Sequence, residues 1–238
     1  MHCHRSAPRL LLLLAMTGLA AWAQDATPST DKAAPQTSLG TLILAAQFLD
    51  FLWPVFLLLG IEQVKIVPGK FRISPLEFVD YPISHSLLMA ALWAVLFAGI
   101  YYGFRHKARP AFVLAAVVLS HWVLDFIVHR PDLPLIPGGK ARVGLALWNS
   151  MPAAVAAELV CFGAGVWIYV SCTRSRDNIG SYAFWALTGF LFFGWVSTLF
   201  AGAPPNVTSL AWGGLAMVLT APWGWWADKH RTVDARVQ

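Results

Sequence analysis

Residues 119–135 read LSHWVLDFIVHRPDLPL, and the reading of that stretch decides the fold. As far as His129 it has the composition of a lipid-buried helix, interrupted by His121, Asp125 and His129 at four-residue spacing. Residues at i, i+4 and i+8 turn by about 40° per step, so the three side chains share one helical stripe. The PDLPLIPGG that follows is too rich in proline and glycine to continue a helix.

The rest of the chain repeats the apolar theme. Of 238 residues 58% are hydrophobic and 12% charged, and twelve are tryptophan. A soluble domain carries about 25% charged residues, so this chain lacks the means to cover itself with a polar surface. The expected fold class is all-α, a polytopic transmembrane helical bundle of about six spans, at about 20 residues each. They are read at 41–60, 83–103, 110–129, 149–171, 182–201 and 208–226. Trp148, Trp223, Trp225 and Trp226 stand at span ends, as interfacial anchors do. The bilayer is the expected partner. Scattered basic residues, without a run interleaved with aromatics, argue against nucleic acid.

Arg5 and Arg9 precede an apolar run ending at Ala21-Trp22-Ala23, the pattern of a cleaved secretory signal peptide over 1–23. A disordered lead-in over 24–40, a transmembrane domain over 41–226 and a polar tail over 227–238 complete the expected organisation. Such a leader puts the loops at 61–82 and 130–147 in the cytoplasm. The positive-inside rule, with nine Lys/Arg on the opposite side against six here, points the other way.

Two loops carry local signals. Ser74-Pro75-Leu76-Glu77 has the form of a capping box and predicts a short interfacial helix. Asp80 and Asn149 are expected as helix caps, and Asp132 as a turn residue. Cys161 and Cys172 form no CxxC metal motif.

Setting aside Tyr and Cys, the ionisable groups inside the spans are Asp50, His85, His121, Asp125, His129 and Glu158. A charge near the bilayer centre costs roughly 2.5–3.5 kcal/mol on insertion scales, so each is a functional candidate. Acids and imidazoles with no Lys or Arg among them suit a divalent metal or a proton relay. With alternating spans, all six groups can converge on one cavity opening toward the loops 61–82 and 130–147. Asp125 is expected as the central ligand, with His85 and either His121 or His129 completing the site. Pro54 deprives the Asp50 carbonyl of its helical donor, predicting a kink there.

Ser84-His85-Ser86-Leu87 opening one span and Ser120-His121-x-x-Leu124-Asp125 in the next resemble the bacterial inner-membrane proteins known as membrane-bound metal-dependent hydrolases. The resemblance covers about residues 80–135. It implies a multi-pass inner-membrane protein with a metal core of His85, His121 and Asp125. The chain departs from the pattern at Asp80-Tyr81-Pro82, where His-Arg-Gly is expected, so one metal ligand or substrate-contacting group is either missing or replaced by Asp80.

The leading functional expectation is therefore a metal-dependent hydrolase with zinc, acting on a lipid-like or membrane-associated small molecule. His129, Glu158 and Asp50 would be its catalytic proton carriers. There is no GxSxG or HExxH motif to support a serine hydrolase or a common zinc protease. A proton- or cation-coupled transporter and a non-catalytic membrane scaffold are the alternatives.

Overall fold

The structure is a computed structural model and describes residues 37–69 and 74–233. The leader over 1–23, most of the lead-in over 24–40 and the last five residues lie outside the described residues. In chain order the elements begin with α1 (Leu39–Ala46), α2 (Phe48–Leu58), β1 (Gln63–Ile66), β2 (Leu76–Asp80), α3 (Pro82–His85), α4 (Leu87–Arg105) and α5 (Ala108–Val128). They continue with β3 (Leu133–Pro134), β4 (Arg142–Val143), a 3-10 turn at Leu147–Asn149, α6 (Met151–Cys172) and β5 (Thr173–Ser175). The last are α7 (Asn178–Phe200), α8 (Val207–Ala216), a second 3-10 turn at Met217–Leu219, α9 (Thr220–Lys229) and β6 (Arg231–Val233).

Helices α4, α5, α6 and α7 are each long and apolar enough to cross a membrane. Their outward surfaces carry exposed Val95, Phe104, Phe112, Val160, Trp167 and Phe193, a lipid-facing composition. On α4 only Ala90 and Ala94 are buried, and two small residues a turn apart let it lie close along α5. Helix α5 is the innermost span. Leu114, Val117, Val118, His121, Trp122 and Asp125 are all buried on it, so the polar stripe coincides with the face turned into the bundle.

The two outermost expected spans are not straight helices. The first is the pair α1 and α2, bent by 52° at Gln47; counted as one span, it raises the number from four to five. The bend falls at Gln47, not at Pro54, where a kink was expected; Pro54 lies inside α2. Gln47 leaves helical geometry at φ −96°, ψ 4°, and the Ala46 carbonyl at that break meets a side chain of α5. The stretch expected as a sixth span, 208–226, is split by the second 3-10 turn into α8 and α9 and does not qualify as an apolar crossing helix. Helix α8 packs on α2, and α9 packs on α1. At the latter crossing a Cβ on Gly224 would stand 2.9 Å from the Gly40 backbone, so glycine on both helices sets the approach. Residues 227–233, expected as tail, complete α9 and pair as β6 with β5.

The loop at 61–82 is the clearest correction. In place of the capping-box helix, β1 and β2 form an antiparallel hairpin with Lys65 opposite Glu77 and Ile66 opposite Leu76. The Ser74 hydroxyl accepts from the Leu76 amide at 3.2 Å, a local turn and not a helix cap. Leu76 and Phe78 alternate into the core, and this period-2 burial outweighs the capping signal. Asp80 ends β2 exposed and caps nothing, since Tyr81 precedes α3. Asn149 likewise lies in the 3-10 turn, while Ser150 holds the N-cap position of α6.

Candidate metal centre

His85 is presented by a broken backbone. The four-residue α3 is separated from α4 by Ser86 in an extended conformation, and irregular backbone among apolar helices needs partners. Trp93 Nε1 donates to the Ile83 carbonyl at 2.8 Å, and Trp122 Nε1 to the His85 carbonyl at 3.0 Å. The Leu88 amide donates to the Leu135 carbonyl at 3.0 Å, so the 130–147 loop caps the start of α4.

The orientation of each imidazole follows from its Nδ1 partner. Buried Glu62 accepts the Ile83 and Ser84 amides through Oε1, at 2.8 and 2.7 Å, and the Ser84 hydroxyl through Oε2, at 2.6 Å. With its proton given to Glu62, Ser84 Oγ accepts from His85 Nδ1 at 2.7 Å. The lone pair of His85 is thereby left on Nε2. On α5, His121 Nδ1 donates to the Ala46 carbonyl at 2.8 Å, with the same result. His129 Nδ1 donates to Asp132 Oδ1 at 3.0 Å; that oxygen also accepts from Tyr81 Oη at 3.2 Å. Three histidines thus turn Nε2 inward.

What they face is carboxylate. His85 Nε2 lies 3.5 Å from Asp50 Oδ1 and 3.5 Å from Asp125 Oδ2. His121 Nε2 lies 3.7 Å from Asp50 Oδ1 and 3.5 Å from Asp125 Oδ2. Asp50, His85 and His121 offer ligand atoms that all lie within 4.8 Å of one another, and they could hold a metal ion. First-row divalent ions bond such donors at about 2.0–2.2 Å, so tetrahedral neighbours stand about 3.3–3.6 Å apart. Three of the four imidazole–carboxylate separations fall within that spacing, and His121–Asp50, at 3.7 Å, is just longer. They are too long for hydrogen bonds, and both Nε2 atoms are buried without a hydrogen-bond partner. A polar atom left so in a core is costly unless something binds it.

The structure therefore gathers His85, His121, Asp125 and Asp50, the last as a candidate ligand from across the bundle. His129, the residue capping the end of α5, reaches Asp125 from the other oxygen, at 3.9 Å to Oδ1, in a box of Phe78, Tyr81 and Trp148. Gly144 closes the loop over it, because a Cβ there would stand 2.5 Å from the His129 carbonyl and 2.2 Å from that of Arg130. Glu158 is not in the cluster. It is buried on α6, where Oε2 accepts from Trp195 Nε1 at 2.7 Å and Oε1 has no hydrogen-bond partner.

Sequence reasoning missed Glu62, Ser84 and the Ala46 carbonyl, and took Asp132 for a turn residue. Glu62 stood two residues past the expected end of a span. Its signal was an isolated acid in LLLGIEQVKIV, followed 22 residues later by Ser-His.

Asp50 also lines a half-open cavity of about 410 Å³ bordered by α2, the β1–β2 hairpin, α7 and α8. Its walls are largely apolar, among them Phe51, Trp53, Phe78, Phe190, Trp195 and Leu210. The carboxylate that faces His85 and His121 is thus also part of the cavity wall. No protein-family model, curated protein or solved structure matches this chain significantly.

Proposed function

We propose that this protein is a membrane-embedded, metal-dependent hydrolase of the inner membrane, acting on a lipid-like substrate. The observation that carries this reading is the convergence of His85, His121, Asp50 and Asp125 from three separate helices, with two buried Nε2 atoms left for a ligand. The nitrogen–oxygen donor set and spacing suit zinc. A zinc ion bound there would supply a water acidified toward neutral pH.

The chain's own residues do the rest. Glu62, through Ser84, holds His85 in one tautomer and one orientation, and the Ala46 carbonyl does the same for His121. His129 Nε2 lies 3.9 Å from Asp125 Oδ1, beside the cluster, where with its ring fixed by Asp132 and Tyr81 it would serve as a proton carrier. Asp50 reaches both the cluster and the cavity, and so is placed to meet substrate. The short motifs at Ser84–Leu87 and Ser120–Asp125, which resemble those of membrane-bound metal-dependent hydrolases, support the same reading.

The test is metal content by plasma mass spectrometry on purified protein, wild type against Asp125→Asn and His121→Ala. Near-stoichiometric zinc in wild type, lost from both variants, is the expected result. A well-folded wild type that holds no metal after reloading overturns the reading. The bent α1–α2 pair with Asp50 beside its break favours a second reading, a proton- or cation-coupled transporter. In that case Asp125→Asn leaves metal content unchanged and stops proton-driven flux in liposomes.

A further inference from the structure

The cavity beside Asp50 is built as a container. Apart from Asp50, its polar side chains are Gln47, Ser74 and Thr198; the remainder is aromatic, aliphatic, proline or glycine. About 410 Å³ lies within the range of small-molecule pockets, which bury an apolar body and fix it by a few polar groups. Its wall is held in place. The Trp195 indole is tied to buried Glu158 at 2.7 Å, Phe78 belongs to the β2 strand, and Pro54 presses on Gly214 of α8, where a Cβ would meet its ring at 3.0 Å. On α7, a Cβ added to Gly194 would meet nothing within 4 Å, so the helix leaves room where it borders the cavity.

The polar and apolar parts are arranged end to end. Asp50 is the carboxylate shared between the cavity and the two imidazoles, so a molecule filling the cavity with its apolar part brings a polar group to the cluster. Water-soluble substrates have no reason to enter walls of this composition. A hydrocarbon chain leaving the bilayer gains by filling a cavity that would otherwise lack van der Waals partners.

We propose that this cavity is a chain-binding site, taking one hydrocarbon chain of a single-headed amphiphile and presenting its head-group linkage to the His85–His121–Asp50–Asp125 cluster. The inference rests on the hydrolase reading and narrows it, from a lipid-like molecule to one recognised through one chain.

The experiment is saturable binding of dansyl-undecanoic acid, followed by fluorescence, to the full-length protein in lipid nanodiscs. Gly194→Phe and Gly202→Trp fill the cavity from α7 and from the α7–α8 connection. Gly163→Phe adds the same bulk on the exposed side of α6 as a control. Wild type and Gly163→Phe are expected to bind alike. The two filling variants are expected to bind about tenfold more weakly or worse, equivalent to losing roughly two buried methylenes. Thermal unfolding and a single symmetric elution peak confirm that each variant is folded. Wild-type binding that does not saturate, or folded filling variants that bind like wild type, overturns the chain site. Metal content answers separately for the hydrolase reading: zinc bound without chain binding removes only this inference, and chain binding without zinc removes the chemistry.

Discussion

The corner where α9 ends and the cluster around His121 both bury ionisable groups among apolar helices, but they settle the cost of doing so differently. At the corner, Asp228 accepts from the Leu39 amide and the Tyr169 hydroxyl. Arg231 donates to Thr173 Oγ1 at 2.9 Å, Ser175 Oγ at 2.9 Å, and the carbonyls of Gly180 and Thr173 at 3.2 and 3.3 Å. Its guanidinium also lies over the rings of Tyr169 and Phe184. Such a network needs nothing from outside; its work is to tie the start of α1, the end of α6 and the end of α9 together. In the cluster, by contrast, every Nδ1 is bonded within the protein while Nε2 of His85 and of His121 is left without a hydrogen-bond partner. Buried polarity that closes on itself is architecture, and buried polarity held open toward one point is a site.

That contrast can be broken by substitution. The largest effect is expected from Arg231→Met, which strips the corner of its donors; it should cost about 3 kcal/mol of stability, seen as a lower melting temperature, with bound metal unchanged. Loss of metal on that substitution would mean the two regions are not separate. Ser84→Ala should do the reverse. By cutting the link from Glu62 to His85 it is expected to weaken metal affinity about 10–100-fold, or about 1.4–2.7 kcal/mol, in a chelator competition. An unchanged affinity would show that His85 is no ligand.

Gly144→Ala sharpens the comparison from the loop side. A methyl group 2.2 Å from the Arg130 carbonyl, at φ 157°, must push the 130–147 loop off His129; about 2 kcal/mol of stability should go, read by denaturation. The smallest effect belongs to Asp177 at the start of α7. His230, bonded at 2.7 Å, and the Gly180 amide hold its carboxyl below the usual carboxylate range. A depressed folded-state pKa means the contribution is present above the ordinary Asp value and fades as pH falls through the lower one. Wild type and Asp177→Asn should therefore differ in stability at neutral pH and converge below about pH 4. A gap that persists in acid would exclude the ionised carboxylate as its source.

Much of the membrane architecture was legible in the residues. α4 to α7 follow from runs of about 20 apolar residues, because a bilayer leaves a buried backbone few options besides the helix. The stripe of His121, Asp125 and His129 follows from helical periodicity alone, and it did turn inward. Local signals misled where tertiary burial overrode them. Ser74 and Glu77 carry a cap pattern, yet Leu76 and Phe78 find more apolar surface as alternating strand residues than a helical turn would give them.

Composition and spacing by themselves determined that this chain is built of apolar helices long enough to cross a membrane and that a polar stripe runs along one of them. Only the tertiary structure decided that Asp50 meets His85 and His121, that Glu62 and Ser84 orient one imidazole and the Ala46 carbonyl the other, and that a cavity adjoins them. The physical reason is range. Helix formation and insertion are set within about 20 residues by the solvent, whereas the cluster joins groups up to 75 residues apart, brought together by a bend at Gln47 and a break at Ser86.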